Sequence, residues 1–154
     1  MKNIFCILII FIISASTLCG CSLVTNPKLT KEEITNTINK IKKSKIILLD
    51  VYHDRCVSCK NIEPVIEKLK ADYSGNPDIV FLKYDLSNPF TVLQSKKIAK
   101  AAGLEDIYKS QRYSGIVLII DSKNKKIIDS LISEYDIQKY YGVIQRDLAI
   151  INAT

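Results

Sequence analysis

The sequence predicts an α/β fold in which a central mixed four-stranded sheet is flanked by helices. Three apolar runs, at residues 46–51, 79–84 and 115–120, are typical of buried strands. Segments of helical periodicity separate them, as expected where parallel strands are joined by helices. A Cys-x-x-Cys pair, Cys56 and Cys59, lies where the first run ends and a helical pattern begins.

A helix is predicted ahead of the first strand. Thr30 and Glu33 have the spacing of a capping box, in which each side chain satisfies a backbone N–H at a helix start. Isoleucines then recur at helical spacing as far as Lys43. The first strand at residues 46–51 follows, and a second helix is predicted at 57–72.

Turn and cap residues divide the rest of the chain. Ser74 to Pro77 is a turn sequence, Asn88-Pro89 is typical of a helix start, and Gly103 is placed to end that helix. The remaining predicted elements are a strand at 79–84, a helix from 89 to about 102, a short helical or irregular piece at 104–113, a strand at 115–120, a hairpin loop at 121–125, a returning strand at 126–130 and a terminal helix from 136 to about 150.

The N-terminus has the pattern of an export signal. Lys2 precedes a short apolar run at residues 4–13, which is too short for a comfortable membrane span. The segment from Leu18 to Cys21 resembles a bacterial lipobox, which implies cleavage after Gly20 and lipidation of Cys21. We therefore expect a signal peptide at 1–20, a tether at 21–29 and a single domain at 30–154, anchored to a membrane of the bacterial cell envelope. A retained single-span anchor and an ordinary cleaved signal are the alternatives.

Net charge and cysteine content argue against two classes of function. The formal net charge is +6, but the lysines are spread along the chain and there is no tryptophan, so we expect no nucleic-acid partner. Of the five cysteines, Cys6 and Cys19 fall in the predicted signal and Cys21 carries the predicted lipid. The predicted domain thus keeps one Cys-x-x-Cys pair, which favours thiol–disulfide chemistry over a disulfide scaffold.

The position of the Cys-x-x-Cys pair predicts different chemical roles for its two thiols. Cys56 lies at a predicted helix N-terminus, where unpaired N–H groups and the helix dipole favour the thiolate, and Arg55 adds a neighbouring positive charge. We therefore expect Cys56 to be the nucleophile, with a lowered pKa, and Cys59 to be the resolving thiol. A permanent disulfide that closes the helix start is the structural alternative.

The segment Asp50 to Lys60, together with the order of elements, resembles the thioredoxin superfamily. The match is nearest to the Cys-Val-x-Cys-Lys form found in thioredoxin-like domains of membrane disulfide reductases. Asp50 lies where the family has a buried aspartate, Pro64 where its helix has a proline, and Lys83 where a strand lysine lies near that aspartate. The resemblance implies a thioredoxin fold with an extra N-terminal helix and an extended second helix region.

The resemblance also implies a site. Cys56, Cys59, Asp50 and Lys83 would be the catalytic residues, with Asp50 exchanging the proton of Cys59 and Lys83 moderating the pKa of Asp50. Two departures stand out: the family tryptophan before the first cysteine is Arg55, and the place of its cis-proline holds Gly115. The residues expected to line the substrate groove are Arg55, Ser114, Gly115 and Ile116.

The function expected from this site is exchange of thiols and disulfides with protein substrates, by resemblance in the reducing direction. A membrane or extracytoplasmic thiol donor would recharge the pair, and no cofactor is expected. One alternative is a copper or zinc metallochaperone that uses Cys56, Cys59 and His53. The other is a non-catalytic thioredoxin-fold interaction domain.

Overall fold

The computed structural model describes residues 29–153. Within that range the chain forms five helices and four strands in the predicted α-β-α-β-α-β-β-α order, with a short additional helix before the third strand. In chain order they are α1 (Lys31–Lys43), β1 (Ile46–Tyr52), α2 (Val57–Asp72), β2 (Ile79–Asp85), α3 (Pro89–Ala102), α4 (Glu105–Ser110), β3 (Ile116–Asp121), β4 (Lys126–Ile132) and α5 (Ile137–Asn152).

The four strands make one mixed sheet in the order β2-β1-β3-β4. Strand β1 is parallel to β2 and antiparallel to β3, and β3 is antiparallel to β4. The mixed four-stranded sheet predicted from the sequence is therefore confirmed. The register places Lys83 beside Asp50, and Ile116 beside Val51.

The two faces of β1 belong to two separate clusters of buried side chains. Ile47, Leu49 and Val51 pack with residues of α1, α3 and α4. Ile46 and Leu48 pack with residues of α2 and α5 on the other face. Because side chains alternate along a strand, Asp50 lies on the α2 and α5 face, at the end where the cysteines are.

Local sequence signals place the helix ends as expected. The Thr30–Glu33 capping box is formed, with the Glu33 N–H donating to Thr30 Oγ1 at 3.1 Å and the Thr30 N–H donating to Glu33 Oε2 at 2.7 Å. Asn88 caps α3, and Gly103 ends it in the left-handed conformation with φ of 70°. Together α3 and α4 form the extended second helix region, and α1 is the extra N-terminal helix.

One expectation about burial was wrong. The sequence predicted β2 as a buried strand, but β2 is an edge of the sheet, so Lys83 is exposed and Phe81 half-buried. On α5, the buried Asp147 is 3% exposed and accepts hydrogen bonds from the side chain of its sequence neighbour Arg146.

The predicted signal peptide and Cys21 lie outside the described residues, as does most of the predicted tether. Among residues 29–153, no helix has the length and apolar character needed to cross a membrane.

Candidate active site

The β1–α2 junction holds Cys56 at the start of a helix, as the sequence predicted. Cys56 is the N-cap residue of α2, and its Sγ accepts a hydrogen bond from the Cys59 N–H at 3.1 Å. Its own N–H donates to the His53 carbonyl at 3.0 Å, which closes the turn after β1. The cap position is normally taken by a side-chain oxygen, so here the sulfur performs a capping role.

The environment of Cys56 stabilises its thiolate. Burial raises the pKa of this thiol, but hydrogen bonds from the Cys59 side chain, the Ser114 hydroxyl and the N–H groups of residues 58 and 59 outweigh that effect. The net result is a pKa below the ordinary value for a cysteine. These hydrogen bonds come from the start of α2 and from the residue before Gly115.

Cys59 is the protected member of the pair. It is 2% exposed, and its thiol donates to the Val51 carbonyl at a long 3.9 Å. Burial, followed by its hydrogen bond to Cys56, raises the pKa of Cys59. Both cysteines are free thiols, so the pair is described in its reduced form. A partly exposed, more acidic thiol beside a buried, less acidic thiol is the asymmetry required of an attacking and a resolving cysteine.

Asp50 is a buried acid on the same face of β1 as α2. It is 8% exposed, and its Oδ1 atom has no hydrogen-bond partner among the described residues. Burial raises the pKa of Asp50 from 3.8 to about 6, against the opposing effect of the Lys83 and Lys70 charges. Such an acid is half-protonated at about pH 6 and keeps a minor protonated fraction at neutral pH, so it can both accept and return a proton.

Lys83 lies near Asp50 but does not bond to it. Its Nζ atom lies 3.4 Å from the centroid of the Tyr52 ring and 3.8 Å from Glu63 Oε1. The sequence placed Lys83 correctly beside Asp50 and missed Glu63 and the ring contact. Glu63 comes four residues after Cys59, one helical turn further along α2, and that spacing could have indicated it.

Gly115 faces the cysteines, where the resemblance put the cis-proline. Its N–H donates to the Val51 carbonyl at 2.8 Å and its carbonyl accepts from the Ser133 N–H at 2.9 Å. Its φ is +81°, and no cis peptide bond occurs in the described part of the chain. A Cβ at this position would lie 3.0 Å from Ser58 Cβ and 3.4 Å from Cys56 Sγ. Gly115 therefore permits a close approach of β3 to the thiol that a larger residue would obstruct.

The other expected groove residues surround this contact. Ser114 is half-buried and its hydroxyl acts on both thiols, while Ile116 is half-buried at the start of β3. Arg55 is exposed, and its backbone N–H donates to His53 Nδ1 at 3.0 Å. The leading causes of the lowered Cys56 pKa are hydrogen bonds and do not include the Arg55 charge, so the contribution predicted for Arg55 is not observed.

A group of three hydroxyls beside the cysteines was not anticipated. The Ser58 hydroxyl accepts hydrogen bonds from Ser133 Oγ at 3.0 Å and from Tyr135 OH at 3.2 Å. These contacts tie the β4–α5 connection to the middle of the Cys-x-x-Cys segment. They join residues more than 70 positions apart, and no local pattern signals such a pairing.

The geometry does not favour the metal-binding alternative. His53 Nδ1 is taken up by the Arg55 N–H and lies 3.0 Å from Asp54 Oδ1. Across residues 29–153, no three His, Cys, Asp or Glu side chains are grouped in a way that could hold a metal ion.

Comparisons with known proteins agree with the fold and the cysteine pair. Residues 25–134, which are more than half of the chain, match the family model described as Thioredoxin. A putative thioredoxin-4 of Dictyostelium discoideum is 24% identical over 104 residues, which cover 68% of this chain and 97% of that protein. Thioredoxin of Staphylococcus aureus (strain Mu50 / ATCC 700699) is 45% identical over 49 residues, 32% of this chain and 46% of the relative. The chain thus spans about half the length of that second relative.

The solved structures that match this chain include the germline-specific thioredoxin Deadhead from Drosophila melanogaster. It has a TM-score of 0.49 at 19% identity, covering 79% of this chain and 98% of that one. Thioredoxin f2 of Chlamydomonas reinhardtii has a TM-score of 0.45 at 18% identity, covering 68% and 81%. With the family match over residues 25–134 and the Cys56–Cys59 pair at the head of α2, the chain belongs to the thioredoxin family of thiol–disulfide oxidoreductases.

Proposed function

We propose that this protein is an extracytoplasmic, lipid-anchored member of the family that reduces disulfides in protein substrates. The observation that carries the redox part is the asymmetry of the pair: Cys56 is partly exposed with a lowered pKa, and Cys59 is buried with a raised one. An accessible, stabilised thiolate is what attack on a disulfide requires.

The proposed reaction has two exchange steps. The Cys56 thiolate attacks one sulfur of a substrate disulfide, which forms a mixed disulfide and releases the other substrate sulfur as a thiolate. Asp50 then takes the proton of Cys59, and the Cys59 thiolate attacks Cys56 Sγ. The second substrate thiolate leaves, and two electrons have passed from the pair to the substrate. A membrane or extracytoplasmic thiol donor must reduce the resulting Cys56–Cys59 disulfide.

Substrate would bind over the surface formed by Arg55, Ser114, Gly115 and Ile116. The close approach of Gly115 to Cys56 Sγ supports this placement, because the sulfur of a bound substrate must reach the same atom. Two apolar side chains nearby are strongly exposed, Val57 at 73% and Tyr113 at 77%. An extended segment of a protein substrate could cover them.

Reduction of insulin disulfides by the reduced full-length chain tests the redox proposal. We expect turnover that falls to background in Cys56→Ser, whereas Cys59→Ser should accumulate a mixed disulfide because nothing resolves it. The His53→Ala variant should reduce insulin at an unchanged rate. Absence of turnover would contradict the redox proposal. A tightly held metal ion in the inactive protein would then favour the metallochaperone. Absence of both turnover and metal would favour the interaction domain.

The anchor is proposed from the lipobox-like segment that ends at Cys21. Incorporation of labelled fatty acid in a bacterial host tests it. We expect label in the unaltered chain and none in Cys21→Ala, with Cys19→Ala retaining the label as the matched control. Label that persists in Cys21→Ala would contradict the proposed site.

A further inference from the structure

The Lys83 ammonium is held by two groups at the rim of the site. It lies over the Tyr52 ring, 3.4 Å from the centroid, and 3.8 Å from Glu63 Oε1. A cation over an aromatic face and a cation beside a carboxylate are both favourable arrangements. Lys83 and Asp50 are register partners on neighbouring strands, yet no ion pair joins them in the described part of the chain.

The position of this ammonium matters because Asp50 is sensitive to it. Asp50 is nearly fully buried and lacks a partner for Oδ1, so an approaching lysine would gain a strong interaction with its carboxylate. Such an ion pair would keep Asp50 deprotonated and would take away its capacity to exchange a proton near neutral pH. An interaction must therefore hold the Lys83 ammonium away from the Asp50 carboxylate.

We propose that Glu63 is a positioning residue of the redox site, which together with Tyr52 holds Lys83 at the rim and prevents it from pairing with Asp50. Glu63 does not act on substrate or on either thiol. Its charge adds directly to the raised pKa of Asp50, but its main effect passes through Lys83: by holding the ammonium away, Glu63 leaves the Asp50 carboxyl able to exchange a proton. The consequence for catalysis rests on the proposed function, whereas the charge arrangement itself does not.

Other charged groups also face Asp50. Lys70 on α2 opposes its raised pKa, and Asp85 on β2 adds to it, as Glu63 does. On α5, Tyr140 responds to the charge of Asp50, and on β3 the register partner is the apolar Val117. Glu63 differs from Asp85 because Glu63 forms an ion pair with Lys83.

The direct test is the titration of the Asp50 carboxyl in Glu63→Gln. Carboxyl carbon NMR on the reduced, 13C-labelled full-length chain in detergent micelles follows this group, and Asp50→Asn assigns its signal. We expect the midpoint to fall by about one pH unit, because the released Lys83 ammonium would approach the Asp50 carboxylate and favour its charged form. Glu105→Gln on α4 is the matched control, since it makes the same charge change on the opposite layer of the sheet. An unchanged or raised midpoint, or the same fall in Glu105→Gln, would overturn the proposal.

A double-mutant cycle separates positioning from direct repulsion. If Glu63 acts by holding Lys83, the effect of Glu63→Gln on the Asp50 midpoint should fall to less than half when Lys83 is replaced by Met. An effect of full size in the Lys83→Met background would show that Glu63 acts directly on Asp50, and the positioning role would be wrong.

The catalytic consequence has its own measurement. The pH profile of insulin reduction should move to lower pH in Glu63→Gln and return toward the original profile in Glu63→Asp. A profile that stays in place while turnover persists would contradict the link to catalysis. If the unaltered chain did not reduce insulin, that result would count against the proposed function. It would not count against the role of Glu63, because the NMR titration needs no turnover.

Discussion

Burial of Asp50 lowers the stability of the folded protein and also gives the site an acid with a raised pKa. The acid is 8% exposed, and its burial raises the pKa from 3.8 to about 6. Between these two pH values the folded protein binds more protons than the unfolded chain, so the free energy of unfolding falls as the pH rises through this window. Above about pH 6 the full cost of the buried charge is present.

Replacement of Asp50 by Asn should therefore stabilise the protein in a pH-dependent way. We expect the free energy of unfolding at pH 7.5 to rise by about 1 to 3 kcal/mol, because one pH unit of pKa difference corresponds to about 1.4 kcal/mol. At pH 4 the gain should nearly vanish. Urea denaturation at the two pH values measures both, and equal gains at pH 4 and pH 7.5 would contradict the raised pKa.

Gly115 is the second residue whose identity the site requires. In Gly115→Ala the new Cβ would meet Ser58 and Cys56, and the φ of +81° is strained for alanine. We expect a loss of roughly 1 to 2 kcal/mol in the free energy of unfolding and slower disulfide reduction. Gly75→Ala has the same kind of strain, at φ of +84°, with nothing within 4 Å. Equal effects of the two variants on stability and turnover would show that the contact with the thiol is unimportant.

At the scale of elements, the chain carries many of its own boundary signals. The Thr30–Glu33 box starts α1, Asn88 with Pro89 starts α3, and Gly103 ends it, and each was visible in the sequence because its partners lie within a few positions. Helix α2 is different in that its cap is Cys56 itself. The redox residue thus helps to start the helix that holds its partner Cys59.

The capping box of α1 gives a test at this scale. In Thr30→Ala the Glu33 N–H loses its acceptor, and we expect the free energy of unfolding to fall by about 1 kcal/mol. Thr35→Ala makes the same chemical change within the same helix, where alanine is the better helix former, so we expect no loss. Thermal denaturation of both variants checks the pair. If Thr35→Ala destabilised as much as Thr30→Ala, capping would not be the cause.

At the scale of the whole molecule, β1 joins two clusters of buried side chains. Its residues pack alternately against the α1, α3 and α4 layer and against the α2 and α5 layer. The strand also carries Asp50 and leads into the cysteines, so the same element organises the core and the site.

This shared strand predicts a single cooperative unit. Leu49 is fully buried in the α1, α3 and α4 layer, and Leu49→Ala should lower the free energy of unfolding by about 2 to 5 kcal/mol. Hydrogen exchange followed by mass spectrometry should show α5, on the opposite layer, losing protection together with α3. Retention of protection in α5 while α3 loses it would contradict a single unit.

The sequence predicted the element order, the mixed sheet and the cysteine junction because these depend on periodicity, caps and spacing. It missed what depends on contacts between distant residues. The hydrogen bonds of Ser58 with Ser133 and Tyr135 join residues more than 70 positions apart and have no local pattern. Lys83 was placed near Asp50 by resemblance, but its actual partners on Tyr52 and Glu63 follow from the edge position of β2 and the packing of α2.

The proposed reaction depends on the chemical inequality of the two thiols, with Cys56 the more acidic and accessible. The pH dependence of iodoacetamide alkylation of the reduced chain tests it most directly, when peptide mass spectrometry follows each cysteine separately. We expect Cys56 to be alkylated faster and to reach half of its maximal rate at a lower pH than Cys59. Alkylation of both cysteines with the same pH midpoint, or of Cys59 first, would contradict it.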